Sequence, residues 1–149
     1  MTQEDKDLLI RDLCARLNTN LVCSIYRTDD QGIGYRNEIL YGYCNIDAWD
    51  EFYFGEDCGI SINDISNIKP CLFPLSSMTS KQLFEVQEIL GKNEIEIGDG
   101  FLNIIDSNRN TLTYLEILAL LEWFYKNHFD VNNLIYMGLA IDATNLNVY

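Results

Sequence analysis

Two prolines, one histidine and ten basic residues are all that the chain holds of each kind, and each shortage excludes something. With His128 as the single histidine, a metal site built on several imidazoles is excluded. No H-E-x-x-H, phosphate-cradling glycine loop or nucleophile elbow is present either. Ten bases against 23 acids leave a net charge of −13. Such a surface repels phosphate backbones, so direct nucleic-acid binding is not expected. The acids are spread along the chain rather than run together, the usual pattern of a soluble surface; a lure for a basic protein surface and mimicry of nucleic acid are the functional alternatives.

The cysteines, Cys14, Cys23, Cys44, Cys58 and Cys71, are odd in number, scattered and never in a C-x-x-C pair. They read as small buried hydrophobes in a reducing compartment, not as a zinc site or a disulfide framework. No cofactor and no metal are expected. No apolar run is long enough to span a bilayer: the richest, residues 113–129, is broken by Glu116, Glu122 and Lys126. The opening MTQEDKD is acidic where a secretory signal is basic and then apolar. A cytoplasmic protein without membrane association is the expectation.

What is present argues for a packed core. Apolar residues make up 48% of 149 positions, enough for one domain over residues 1–149 and too few for two. Both prolines fall within five residues, in KPCLFPLSSMTSKQLFEVQEIL (69–90). Pro70 and Pro74 hold their own backbone angles and push Lys69 and Phe73 toward extended geometry. Thr79 stands three residues before Gln82, a capping box, and Met78 and Leu83 are placed as its hydrophobic staple. Leu83, Val86, Gln87 and Leu90 follow at helical spacing, with Gly91 as the stop. The segment 69–78 therefore reads as an extended joint feeding a capped helix.

Upstream of the joint, Thr2 and an acidic first turn start a helix whose apolar face is Ile10, Leu13, Cys14 and Leu17. Residues 20–62 then take a strand pattern: LVCSIY (21–26), a turn-rich RTDDQGIG (27–34), and YRNEILYGYC (35–44), whose Tyr35, Ile39, Tyr41 and Tyr43 share one face by alternation. FYF (52–54) and GISI (59–62) flank a Gly55-Glu56-Asp57 turn. Downstream, EIEIGDGFLNII (94–105) predicts a hairpin, and Thr113 with Glu116 a second capping box. Asp130 is placed to cap a short helix, VNNLIYM, ended by Gly138, and the apolar tail GLAIDATNLNVY is expected to pack. The fold class predicted is α+β: a small antiparallel meander or partly closed barrel packed with three or four helices.

Candidate chemistry is sparse. DSNRNTLTYLEI places Asp106, Asn108 and Asn110 like the first ligands of a calcium loop. Thr111 stands where glycine is needed, however, and Ile117 where the bidentate glutamate belongs. An Asn-rich turn is the better reading. His128 has no legible catalytic partner set and sits where a helix ends, so a structural role is expected of it. No catalytic residue is assigned and no enzyme is expected. In the 113–127 helix, Ile117, Leu118, Leu121, Phe124 and Tyr125 make a sufficient inward stripe, which leaves Leu120 and Trp123 as surplus apolar residues and candidate protein contacts.

LLIRDLCARL at the start, the joint IKPCLFPLSSMT and the segment NHFDVNNLIYMGLAIDATNLNVY, in that order, resemble an uncharacterised family found in phages and mobile elements of anaerobic gut bacteria. The family's members show a K-P-Y-L-x-P-x-S-S-M-T-like joint and a W-L-x-x-H-H-F-D-Y-x-x-L-I-like C-terminal motif. Here Cys71 replaces the tyrosine, Asn127 stands at the first histidine, and Val131-Asn132 departs from Tyr-Arg. The resemblance covers both ends and the joint. It implies an origin, with the host bacterial cytoplasm as location, and no activity.

The functional expectation is thus a non-enzymatic accessory protein of a phage or mobile element that binds a host or phage protein and interferes with a host defence system, with a homodimer as a further option. The alternative is a nucleotide-signal binder that stacks its ligand on Tyr35, Tyr41 and Tyr43, with Arg27 and Arg36 the bases of that half.

Overall fold

In the computed structural model, residues 1–29, 32–46, 49–55, 58–91, 94–98, 101–105 and 112–149 are described, and a six-stranded sheet organises most of them. The chain begins with helix α1 (Gln3–Ala15), then β1 (Val22–Asp29), β2 (Gly32–Ile46), β3 (Trp49–Phe54) and β4 (Cys58–Ser61). A 3-10 turn (Ile62–Asn67) leads to β5 (Ile68–Leu72), and a second one (Leu75–Ser77) to helix α2 (Ser80–Ile89). The hairpin β6 (Glu94–Gly98) and β7 (Phe101–Ile105), helix α3 (Tyr114–Lys126) and the short β8 (Ile141–Asp142) complete it. The sheet order is β4-β3-β2-β1-β5-β8; every pairing is antiparallel except β5 with β8. The fold is α+β with a mixed, open sheet, so of the two sheet forms expected the partly closed barrel is not the one found.

The helix starts are those the capping rules predict. Gln82 N donates to Thr79 Oγ1 at 3.3 Å and Thr79 N to Gln82 Oε1 at 2.9 Å. The Thr113–Glu116 box closes in the same way, and Thr2 with Asp5 adds a third. Gly91 ends α2 at φ +67°, a left-handed angle that costs glycine nothing.

Two local expectations need correction. RTDDQGIG is mostly strand: Arg27–Asp29 extend β1 and Gly32–Gly34 open β2, paired in register Arg27↔Gly34 and Asp29↔Gly32. The joint is extended as expected, and its first half joins the sheet as β5. Pro70 is tolerated there since β1 pairs with Ile68–Pro70 and β8 only with Cys71–Leu72, leaving the proline an edge position on one side. Residues 131–138 form turns, not a helix; Asn133 at φ +60° breaks the helical path. Asp130 still serves as a cap, accepting Leu134 N at 2.9 Å and Ile135 N at 2.8 Å.

The inner sheet face carries the main core: Cys23, Ile25, Leu40, Phe52 and Phe54 against Leu9 and Leu13 of α1, with Leu134 and Leu139 from the turns after α3. A second core joins the helices to the joint, packing Leu75, Val86, Leu90, Leu120, Phe124 and Phe129. The tail packs as expected, with Ala143 fully buried beside Val22 and Cys71 on the outer sheet face.

Candidate functional site

Helix α3 is apolar on more than one side, and the structure decides which side is inside. Leu120 and Phe124 are buried, 6% and 2% exposed. Trp123 lies half-buried between them and the joint. Its ring stacks on Phe129 at 5.7 Å and its Nε1 donates to Glu85 Oε2 of α2 at 3.2 Å. Leu120 and Trp123, the residues expected to be surplus, are therefore core, and the candidate contact built on them is withdrawn. The surplus is elsewhere on the same helix. Ile117, Leu118 and Leu121, expected inside, are 41%, 43% and 37% exposed, and Tyr114 and Leu115 are 74% exposed each. The stripe was read one step off because α3 meets α2 and the joint, not the sheet, and periodicity alone cannot say which partner a helix faces.

Tyr114, Leu118, Leu121 and Tyr125 repeat at 4-3-4 spacing, so they lie along one line of the helix. Beside this line a groove of about 620 Å³ separates α3 from the end of α1, lined by Leu17, Thr19, Leu118, Leu121, Glu122 and Tyr125. Tyr125 sits over the Arg16 guanidinium, 4.8 Å from ring centre to carbon, an attraction between cation and ring face that fixes the ring.

Arg16 belongs to a buried polar cluster that the apolar reading of α1 missed. Its Nε donates to Asp12 Oδ2 at 2.7 Å, and its Nη2 to Asp12 Oδ1 at 3.1 Å and to Phe129 O at 2.8 Å. Asn132 Nδ2 also donates to Asp12 Oδ1, at 2.8 Å. Arg16 and Asp12 are 0% and 1% exposed. The signal was present: Asp12 and Arg16 stand four apart on the arc of Leu9 and Leu13, the spacing of a helical ion pair.

His128 lies close by. It follows the helix at φ +59°, accepts at its carbonyl from Phe73 N at 2.9 Å, and stacks on Tyr149 at 4.2 Å with 10° between planes. Burial, helped by the Arg16 charge, depresses its pKa to about 4. A neutral ring gains nothing from the helix dipole, so stacking is what holds His128. The structural role stands and its expected cause changes.

The tyrosine platform does not assemble. Register slips between Leu40 and Gly42 in the β2–β3 ladder, and a one-residue bulge reverses the alternation beyond it. Tyr35 and Tyr41 are outward, 63% and 60% exposed. Tyr43 turns to the core face, packs on Phe52 at 4.9 Å and donates its hydroxyl to Asp50 Oδ1 at 2.6 Å. Outward neighbours of Tyr35 come instead from β1, with Tyr26 at 5.2 Å. Arg27 is ion-paired with Glu38.

Among the described residues no group of His, Cys, Asp and Glu could hold a metal ion, and no helix is long and apolar enough to cross a membrane. The calcium-like segment 106–111 lies outside the described residues. Cys23 and Cys71 are buried and Cys14 and Cys44 half-buried, all free thiols; burial raises the pKa of Cys14, Cys23 and Cys71. Comparison with protein-family models, curated proteins and solved structures finds no match.

Proposed function

We propose that this chain works by binding another protein rather than by catalysis, and that the outward face of α3 is the contact surface. The supporting observation is the row Tyr114, Leu115, Ile117, Leu118 and Leu121, exposed side by side on a rigid capped helix. Contiguous apolar surface on a soluble protein is characteristic of contact sites, and an amphipathic helix beside a groove is a recurrent mode of recognition. A second copy of the chain and a host or phage protein are the two occupants this face suits. The role as an accessory of a phage or mobile element that interferes with a host defence system rests only on the origin that the motif resemblance implies. The nucleotide reading loses support, because Tyr43 is turned away from Tyr35 and Tyr41 and Arg27 is already paired with Glu38.

A photo-crosslinking residue at Leu118 in the intact protein tests the reading, with the same residue at exposed Asn147 as control. The expected result is a discrete adduct, dimeric or heteromeric, from position 118 that disappears when Leu121→Glu is added. No adduct, or the same adducts from both positions, contradicts it.

A further inference from the structure

The segment Ala143–Tyr149 crosses the outer face of β1 and β5 and is fastened at its ends. Ala143 N donates to Leu72 O at 2.8 Å. Tyr149 Oη donates to Cys71 O at 2.6 Å and accepts from Val22 N at 3.3 Å. Residues Thr144–Asn147 between these anchors are exposed. The far anchor is completed by rings: Tyr149 lies on His128 at 4.2 Å and near Phe73 at 5.7 Å.

His128 is the group at this anchor that titrates in mild acid. Arg16, which caps the end of α1, faces it with a fixed positive charge. Tyr149 faces it as a neutral group, and Cys71 lies beside Tyr149; burial has raised the pKa of both. The carboxylates of the region are committed, Asp12 to Arg16 and Asn132, Asp130 to Leu134 and Ile135. On its own element Lys126 is exposed. His128 Nδ1 and Arg16 Nη1 are both buried without a hydrogen-bond partner in the protein. A proton added to His128 thus sets a second cation beside a buried guanidinium, with no free side-chain carboxylate among these groups to balance it.

We propose that the His128–Tyr149 stack is an acid-released clasp, and that protonating His128 frees the segment 144–149 and uncovers the outer sheet face beneath it. Val22 is packed under the segment and pairs across the strands with Ile39. Ile39 is exposed on the same outward face as Tyr26 and Tyr35, with the Ser24–Asn37 pair between them. Release therefore uncovers Val22 beside Ile39 on the face that carries Tyr26 and Tyr35. With the imidazole near 4 in the closed form and at most near 6.5 when released, linkage makes the open fraction up to about 30-fold larger at pH 5 than at pH 7.5. Solvent screening of the part-exposed ring lowers this to on the order of tenfold.

Amide hydrogen exchange of the intact protein at both pH values, corrected for intrinsic rates, tests the clasp. The expected result is a roughly tenfold loss of protection at Val22 and Leu146 at pH 5, with Ile25 in the β1 core unchanged. His128→Phe, which keeps a stacking ring without a titrating group, is expected to hold its pH 7.5 protection at pH 5. His128→Asn, suited to the left-handed angle, is expected to be loosened equally at both. Unchanged protection in the wild type, an equal loss at Ile25, or a wild-type pH response retained in either variant overturns the proposal.

Discussion

Arg16 is fully buried, yet most of its hydrogen-bonding capacity is met: Asp12 takes two bonds, the Phe129 carbonyl takes one, and Tyr125 covers the guanidinium. The pair ties α1 to the turns after α3 across the main core. Burying two charges costs several kcal/mol per ion, which the mutual attraction and the extra bonds offset. Removing one partner leaves the other charge without compensation. Asp12→Ala is therefore expected to destabilise the fold by about 3–5 kcal/mol, read as a shift of the urea midpoint. The double variant Asp12→Leu/Arg16→Met is expected to lose less than the sum of the two single changes, because neither charge is then stranded. Additive losses would mean that the pair is not coupled. The sequence held this pair in plain view at four-residue spacing, but hydrophobic periodicity treats charged residues as outward by default, and only the packing shows that they point in.

The elements divide by how local their causes are. Capping boxes need only a threonine and its third neighbour, so the starts of α2 and α3 were legible at Thr79 and Thr113. Thr79→Ala is expected to cost about 1 kcal/mol, seen as a lower urea midpoint with an unchanged slope; an unchanged midpoint would mean that the cap does not hold α2. The face a helix buries depends on what it meets, and that is a tertiary fact. Thus Leu120 and Leu118 exchanged roles although both were read as apolar positions of the same helix. The bulge at Leu40–Gly42 had the same effect on the tyrosines: a strict period of two put Tyr43 with Tyr35, and one extra residue moved it to the opposite face. The turns of 131–138 were read as helix because their apolar spacing suits one, while the positive φ at Asn133 that interrupts it carries no periodic signal.

At the scale of the whole molecule, acid response and surface are the measurable consequences. The unfolded His128 imidazole titrates near 6.5 and the folded one near 4, so the unfolded chain binds more protons between those values. This contribution to stability is complete above about pH 6.5 and declines as the pH falls toward 4. Its full size is up to about 3 kcal/mol, less the screening at the exposed part of the ring. Urea midpoints measured from pH 7.5 to 4.5 are expected to fall more steeply in the wild type than in His128→Phe; parallel profiles would show that other groups set the acid response.

The proposed function requires that the outward apolar row of α3 is not needed by the fold and is free to bind. Thermal unfolding of Leu118→Glu/Leu121→Glu beside Leu120→Glu tests it most directly. Exposed positions tolerate such changes within about 0.5 kcal/mol, so the outward pair is expected to melt within a few degrees of the wild type. Leu120→Glu buries an unpaired carboxylate in the second core and is expected to lose more than about 4 kcal/mol or fail to fold. If the outward pair unfolds the protein as Leu120→Glu does, those side chains belong to the core and α3 offers no free contact face.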